Sequence, residues 1–328
     1  MADTMHIEPG QALKRKTPVS TTLILFGVLV VMVVVFSVLS RDFYSFQNIS
    51  TMLTNISFSG ILAGTLTLII ITGGLDISIG GNIALTSCLI AYLYNLTPPV
   101  PGWALVPIAL GLGAAIGAFN GFFITRLDLN PIITTLGTMA VTKGLGYVLT
   151  KSRSILIMED VTGFIGRTLI PVIQIPIPLV LFAVIFAILY WVLSRSKFGR
   201  KVYCIGANAA AARASGIKVN RVKFILYLMS GVAASLSGLI LTGQTAVGMP
   251  QHANGSELDV ITAVLMGGTA LAGGKGSILG TLAGVLILGV LYNGFTMIGF
   301  RYVHIKVFQG VLLIMIVALY ELRGKKRY

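Results

Sequence analysis

The sequence predicts an all-α polytopic membrane protein with about ten transmembrane helices, some of them broken, and an inverted internal repeat. Three observations lead there: the composition, the long uncharged runs and two motifs that recur in the same order. Hydrophobic residues make up 55% of the 328 residues, charged residues make up 10%, and the mean hydropathy is +0.92. A chain so poor in polar residues cannot coat a soluble globule, so we expect it to lie in a bilayer.

The uncharged runs supply the spans, because one crossing of the bilayer takes ~20 residues. We place the spans near 19–39, 51–71, 77–95, 103–125, 131–149, 176–194, 222–243, 257–272, 276–296 and 303–321. The spans near 77 and 257 contain glycines and polar residues, so we expect partial or broken helices there. The first run ends without a small-x-small cleavage site, so we expect it to stay as an uncleaved span.

These spans form one transmembrane domain at 19–321, with a tail at 1–18, a loop at 195–222 and a basic tail at 322–328. An even number of spans puts both tails in the cytoplasm. Most of the 24 Lys and Arg residues fall on that side, including eight between Ser194 and Phe224. Such a bias marks the cytoplasmic face, and it explains the net charge of +14 without nucleic-acid binding.

Two motifs recur about half a chain apart. Leu75-Asp76-Ile77 and Leu258-Asp259-Val260 each precede a Gly/Ala-rich stretch. Each stretch leads to glycines at four-residue spacing, which are Gly113, Gly117 and Gly121 in the first copy and Gly276, Gly280 and Gly284 in the second. An odd number of spans separates the copies, so they would run in opposite directions, as in transporters that place a path between inverted repeats. The alternative is a chance recurrence of short, common tripeptides.

The spaced glycines predict close helix packing, because small residues let helix backbones approach each other in a membrane. The spacing fits packing within the chain and packing between subunits equally well.

A few polar residues at membrane depth are candidates for the translocation path or for hinges, because such residues are costly there. They are Asp76, Asn130, Thr134, Glu257 and Asp259. The alternative role for the acidic residues and for Asn130 is helix capping. Thr134 would either line a pore or bond back to its own helix.

The sequence contains no motif for covalent chemistry. Residues 273–277 resemble a phosphate-binding loop only in part, since Thr269 replaces its first glycine and Gly276 follows the lysine where Ser or Thr belongs. No Cys/His cluster has metal-ligand spacing. We therefore expect no ATP hydrolysis by this chain, no bound metal and no cofactor.

Several motifs together resemble a known family. They are Gly73 to Gly80, Asn130 to Leu136, Phe198-Gly199-Arg200 followed by Gly206 to Ile217, and Glu257 to Gly276. From about Ile49 to its C terminus, the chain resembles the membrane permease of bacterial ABC sugar importers of the ribose, arabinose, galactose, xylose and autoinducer-2 type.

The resemblance implies a subunit of the bacterial inner membrane that carries a monosaccharide or similar polyhydroxylated solute into the cytoplasm. Its implied partners are a cytoplasmic ABC ATPase, a periplasmic or lipid-tethered sugar-binding protein and a second permease copy, alike or different. The resemblance also implies an ATPase-coupling segment that includes Gly206, Asn208, Ala212, Arg213 and Gly216. Relatives often carry acidic residues and a second glycine there, where this chain has alanines.

Two other kinds of protein fit part of the pattern. A self-sufficient secondary transporter also uses inverted repeats and broken helices, but it more often keeps a relay of ionisable residues within the spans. A membrane-embedded enzyme or scaffold fits less well, because no catalytic constellation is present. Dependence of uptake on a separate ATPase distinguishes the three.

Overall fold

The computed structural model describes residues 21–157, 165–170 and 174–325. The tail predicted at 1–18 and the last residues of the basic tail, 326–328, lie outside these ranges. The helices are α1 (Thr21–Leu39), α2 (Phe46–Ile71), α3 (Ile79–Tyr94), α4 (Gly102–Arg126), α5 (Pro131–Thr150), α6 (Ile177–Arg195), α7 (Lys197–Ala207), α8 (Ala209–Ala214), α9 (Val219–Thr245), α10 (Ser256–Met266), α11 (Ile278–Met297) and α12 (Tyr302–Lys325). A 3₁₀ helix at Arg41–Tyr44 and two short strands, β1 (Ile155–Leu156) and β2 (Val247–Gly248), accompany them.

Seven helices in the described part of the chain are long and apolar enough to cross a membrane, namely α1, α2, α4, α5, α6, α9 and α11. By contrast, α3 has 16 residues and α10 has 11. At ~1.5 Å per residue they reach about 24 Å and 16 Å, which is short of the ~30 Å hydrocarbon core. These are the two spans in which the sequence predicts partial helices, and that prediction is confirmed.

The two short helices run in opposite directions. The loop 72–78 before α3 meets the loop 267–277 after α10, where the Gly274 N–H donates to the Ile71 carbonyl at 2.8 Å. The loop 246–255 before α10 lies at the other end, where β2 pairs antiparallel with β1. We call the end that carries loops 72–78 and 267–277 together with α7 and α8 the basic end, and the other the opposite end. Helices that start from the two ends are what an inverted repeat requires.

Helix α2 forms the centre of the bundle, because its residues 60–71 are all buried. Its glycines allow α6 to pack closely. A Cβ on Gly60 would overlap the Phe182 ring, and one on Gly64 would lie 2.7 Å from Leu189. Helices α9 and α11 pack against α2 as well, and α1 covers α11 on the outside.

The spaced glycines of both motif copies lie in helix contacts within the chain. A Cβ on Gly113 or Gly117 would overlap backbone carbonyls of α9, and one on Gly121 would lie 2.9 Å from the Phe224 ring. In the second copy, Cβ atoms on Gly280 and Gly284 would overlap carbonyls at the end of α10. A Cβ on Gly276 would lie 2.8 Å from the Thr269 side chain. The glycines of the first copy therefore pack on α9, and the glycines of the second copy pack mainly on the end of α10 and the loop after it.

Candidate functional site

A cavity of about 1020 Å³ lies in the half of the bundle toward the opposite end, between α2, α9, α10, α11 and α12. Pockets for small ligands commonly enclose ~300–1,000 Å³, so this one is large enough for a small solute with water around it. Most of its polar lining consists of amides and hydroxyls. The amide side chains are Gln47, Asn48, Asn55, Gln244, Gln251, Asn254 and Asn293. The hydroxyl side chains are Ser45, Thr51, Ser59, Ser256, Tyr292 and Thr296.

The cavity wall on α2 includes a stripe of polar residues along one face of the helix. Asn48, Thr51, Asn55 and Ser59 are spaced by three or four residues, so they share a face of the helix. Tyr292 and Thr296 of α11 follow the same spacing on the facing wall. Sequence reasoning missed these residues, although the polar stripe on α2 was the signal that would have found the first four.

Amide pairs join the walls to one another. Asn48 Nδ2 donates to Asn293 Oδ1 at 2.9 Å, and Asn293 Nδ2 donates back to Asn48 Oδ1 at 2.7 Å. Gln244 Nε2 donates to Asn55 Oδ1 at 3.0 Å. These bonds connect α2 to α11 and to α9. Amides carry donors and acceptors but no charge, so they favour a neutral polar ligand.

Besides His252 and Tyr292, the described lining of the cavity contains three ionisable residues, namely the exposed Asp42 and the ion pair of Asp259 with Lys306. Lys306 Nζ lies 3.0 Å and 3.1 Å from the two carboxylate oxygens of Asp259, and the Tyr292 hydroxyl donates to Asp259 Oδ1 at 3.2 Å. Both side chains of the ion pair are partly exposed to the cavity, at 28% for Lys306 and 19% for Asp259. The ion pair holds the first turn of α10 against α12. Its two opposite charges largely cancel each other's electric field in the cavity.

His252 of the loop 246–255 also borders the cavity. Its Nδ1 lies 2.7 Å from the Ser87 hydroxyl. Burial lowers the pKa of His252 to about 4, so the ring is neutral at physiological pH. The histidine therefore adds another uncharged polar group to the lining.

The other sequence-predicted carboxylates lie elsewhere. Asp76 is buried near the basic end, where its Oδ1 accepts from the Ser78 N–H at 3.0 Å and from the Ser78 hydroxyl at 2.6 Å. Its Oδ2 accepts from the Ser230 hydroxyl at 2.7 Å. Asp76 thus holds the loop 72–78 on α9. Glu257 is buried and is not among the residues that line the cavity, although its neighbour Ser256 is.

Asn130 and Thr134 lie together at the start of α5. The Asn130 side chain accepts from the Ile132 N–H at 2.9 Å and caps the helix. The Thr134 hydroxyl donates to the Asn130 carbonyl at 2.9 Å. Neither residue is among those that line the cavity, and the same holds for Asp76.

The segment predicted to couple to an ATPase forms the end of α7, all of α8 and the turn after it. Asn208 caps α8 by accepting from the N–H groups of Ala210 at 2.9 Å and Ala211 at 3.0 Å. Gly216 ends the segment with φ +80°, a value that glycine adopts without strain. Ala212 is buried and Arg213 is exposed, and Lys197, Arg200 and Lys201 are exposed on α7, so the two helices together present a basic outer surface.

Gly206 connects this segment to the loops beside both short helices. A Cβ on Gly206 would overlap the Ile71 carbonyl oxygen and lie 2.5 Å from the Gly274 nitrogen. The adjacent Gly273 and Gly274 have φ values of +85° and +73°, which favour glycine. We call this meeting point of Gly206, Ile71 and Gly274 the glycine junction. It links α7 directly to loops 72–78 and 267–277.

Metal ligands do not cluster in the described ranges, where no group of three or more His, Cys, Asp or Glu side chains is placed to hold an ion.

Comparison with known proteins gives a consistent result. Residues 48–319 match the family described as "Branched-chain amino acid transport system / permease component". The chain is 36% identical to the ribose import permease protein RbsC of Escherichia coli over 295 residues, or 88% of this chain and 90% of that protein. It is 38% identical to RbsC of Bacillus subtilis over 293 residues, or 89% and 90%. It is 32% identical to the L-arabinose transport system permease protein AraH of Escherichia coli over 292 residues, or 88% of each. No solved structure matches the chain significantly.

Proposed function

We propose a neutral monosaccharide or similar polyhydroxylated solute as the cargo of this chain, which belongs to the family of permease components just described and is the membrane permease subunit of a sugar ABC importer. The observation that carries the choice of cargo is the cavity lining, in which amides and hydroxyls dominate and Asp259 is paired with Lys306. A pentose, a hexose or an autoinducer-2-like solute offers hydroxyl groups that donate to and accept from such a lining.

The chain is a multi-pass protein of the inner membrane. We infer that the basic end faces the cytoplasm, since Lys and Arg concentrate on the cytoplasmic side of membrane proteins. The cavity then faces the periplasm, where a periplasmic or lipid-tethered binding protein would deliver the solute. Both termini would be cytoplasmic, and residues 19–321 would form one transmembrane domain with a coupling loop at 195–222.

As a permease, the chain is not itself an enzyme, and we propose that ATP hydrolysis takes place on a separate cytoplasmic ABC ATPase. The basic surface of α7 and α8 would contact that ATPase, and a second permease copy, alike or different, would complete the transporter.

When the ATPase subunits close, movement of α7 would pass through the glycine junction to loops 72–78 and 267–277. These loops bear the short helices, so the cavity would close on one side and open on the other. The solute biases this change only by binding one conformation more tightly.

The test is ATP hydrolysis in proteoliposomes that contain this chain, a candidate ATPase and a candidate binding protein. The panel of solutes comprises pentoses, hexoses, polyols and autoinducer-2. We expect one solute to stimulate hydrolysis, and we expect that stimulation to vanish when this chain is left out. Uptake of a solute by this chain alone, without ATP, would instead establish a secondary transporter.

Reversal of the charge at Arg213 tests the coupling segment. We expect Arg213→Glu to lower ATP-driven uptake at least tenfold and to weaken co-purification of the ATPase, because Arg213 is exposed on the surface proposed to bind it. Folding should not change, since the side chain is not part of the core. Arg213→Lys keeps the charge at the same exposed position, should retain most uptake and is the matched control. Normal ATPase association and uptake by Arg213→Glu would contradict the assignment.

Removal of the cation from the cavity tests the ion pair. We expect Lys306→Met to lower uptake severalfold, because Asp259 would lose its charged partner in a partly buried wall, and breaking such a pair is more costly than removing both members. The double variant Asp259→Asn/Lys306→Met should recover part of the loss. Uptake of the identified solute and thermal unfolding in detergent are the two measurements. Equal uptake by the single and double variants would show that the pair does not matter as a unit.

A further inference from the structure

The first turns of the two short helices meet inside the bundle. Helix α3 starts at Ile79 after a loop from the basic end, and α10 starts at Ser256 after a loop from the opposite end. A Cβ on Gly80 would overlap Glu257 Oε2 and lie 3.4 Å from the Ala253 carbonyl oxygen. A side chain at position 80 would therefore displace the Glu257 carboxylate from its place in this contact. The contact adjoins the cavity, because Ala253 and Ser256 both line it.

Glu257 is unusual in this contact. Its side chain is only 8% exposed, and its Oε2 is buried without a hydrogen-bond partner among the described residues. A buried polar atom without a partner destabilises the conformation in which it occurs. Asp76 and Asp259 show the contrast, since each accepts at least two hydrogen bonds. The arrangement costs stability, and a ligand that donates to Oε2 would supply the missing bond.

We propose that Glu257 and the first turn of α3 form an inner contact point for a hydroxyl group of the solute, which is closed in this conformation and opens when α3 and α10 separate. This inference rests on the proposed function and names residues that the solute meets after it leaves the cavity.

The chemistry of the two groups selects a hydroxyl. A helix begins with backbone N–H groups that lack intrahelical acceptors and carry a partial positive charge. Glu257 Oε2 contributes an acceptor beside them. A solute hydroxyl donates to the carboxylate oxygen and accepts from an N–H group, so it satisfies both. An ammonium group would leave the N–H groups without an acceptor and a carboxylate would leave Oε2 without a donor, so a polyhydroxylated solute matches both groups best.

The first test compares Glu257→Gln with Glu257→Leu in the reconstituted importer, with the solute that stimulates the wild-type complex. We expect Glu257→Leu to lower uptake at least tenfold, while Glu257→Gln stays within about threefold, because the amide oxygen still accepts a hydrogen bond. Thermal unfolding of the purified chain separates this role from a structural one. Loss of an unpaired buried oxygen should leave the Tm of Glu257→Leu equal to or above that of the wild type. A lower Tm together with lower uptake would overturn the proposal.

The second test measures whether the contact opens. Glu257→Cys is placed in a Cys88→Ala/Cys204→Ala background and treated with the charged thiol reagent MTSES. We expect no labelling in the resting complex and labelling when the ATPase is held with ATP and vanadate. Ser256→Cys, which lines the cavity, should label in the resting complex and serves as the control. Absence of labelling at position 257 in both states would overturn the proposal. Failure of the wild type to transport any solute would instead overturn the proposed function, and with it this role.

Discussion

Replacement of Gly206 with valine is expected to abolish ATP-driven uptake while the protein still inserts into the membrane. A side chain at this position would collide with the Ile71 carbonyl oxygen and with the Gly274 nitrogen. Neither neighbour can move as a flexible side chain would, because both are backbone atoms joined by a 2.8 Å hydrogen bond. The collision would push α7 away from the loops that bear α3 and α10. ATP hydrolysis would then no longer be linked to solute movement.

The matched control for this prediction is Cys204→Ala, an exposed position in the same helix. Solute-stimulated ATP hydrolysis and uptake are measured together in proteoliposomes. For Gly206→Val we expect uptake near background and hydrolysis that no longer responds to solute. If Gly206→Val transported as well as Cys204→Ala, the glycine junction would not transmit the motion of the coupling segment.

The architecture was largely predictable because its signals are local in the sequence. Uncharged runs of sufficient length reveal spans, and polar residues near 77 and 257 indicate breaks, which the structure has as helices of 16 and 11 residues. The alanine run from Ala209 to Ala212 favours a short helix and Gly216 favours its end in a left-handed turn, and α8 has that form. In each case, the pattern that determines the element lies within fewer than about 25 consecutive residues, so it can be read from one stretch of the sequence.

The cavity was not predicted, because its walls are brought together by tertiary packing. Asn48 and Asn293 are 245 positions apart and form the reciprocal amide pair. Gln244 and Asn55 are 189 positions apart. Sequence reasoning singled out three ionisable residues at membrane depth together with Asn130 and Thr134 at a helix start, whereas most of the polar lining is uncharged and lies on other helices. Of the five predicted path or hinge residues, only Asp259 lines the cavity.

The structure also connects features that the sequence presents separately. Leu75-Asp76 precedes α3 and Leu258-Asp259 lies in the first turn of α10, and the glycine junction lies beside the loop that precedes α3 and the loop that follows α10. One contact on α7 therefore reaches both helices from the basic end. A small displacement of α7 would act on both halves of the repeat together, which is the coupling that alternating access requires.

Replacement of Gly117 with valine is expected to prevent stable folding. A Cβ on Gly117 would overlap the Tyr227 carbonyl oxygen and lie 2.9 Å from the Leu228 Cα. Overpacking of a well-packed interior costs about 1–3 kcal/mol, and the upper part of that range applies here because the atoms met are backbone. Helices α4 and α9 would separate, and membrane helices held by close packing have no hydrophobic drive to replace that contact.

Gly111→Val is the matched control, because Gly111 lies in the same helix and has nothing within 4 Å of the position of its Cβ. The measurement is the midpoint of thermal aggregation of the detergent-solubilised chain, followed by size-exclusion chromatography. We expect Gly111→Val to elute and unfold like the wild type, and Gly117→Val to aggregate or to melt at a clearly lower temperature. Equal behaviour of the two variants would mean that α4 and α9 do not need this approach. The four-residue glycine spacing would then have to serve a contact between subunits, the alternative that the sequence leaves open.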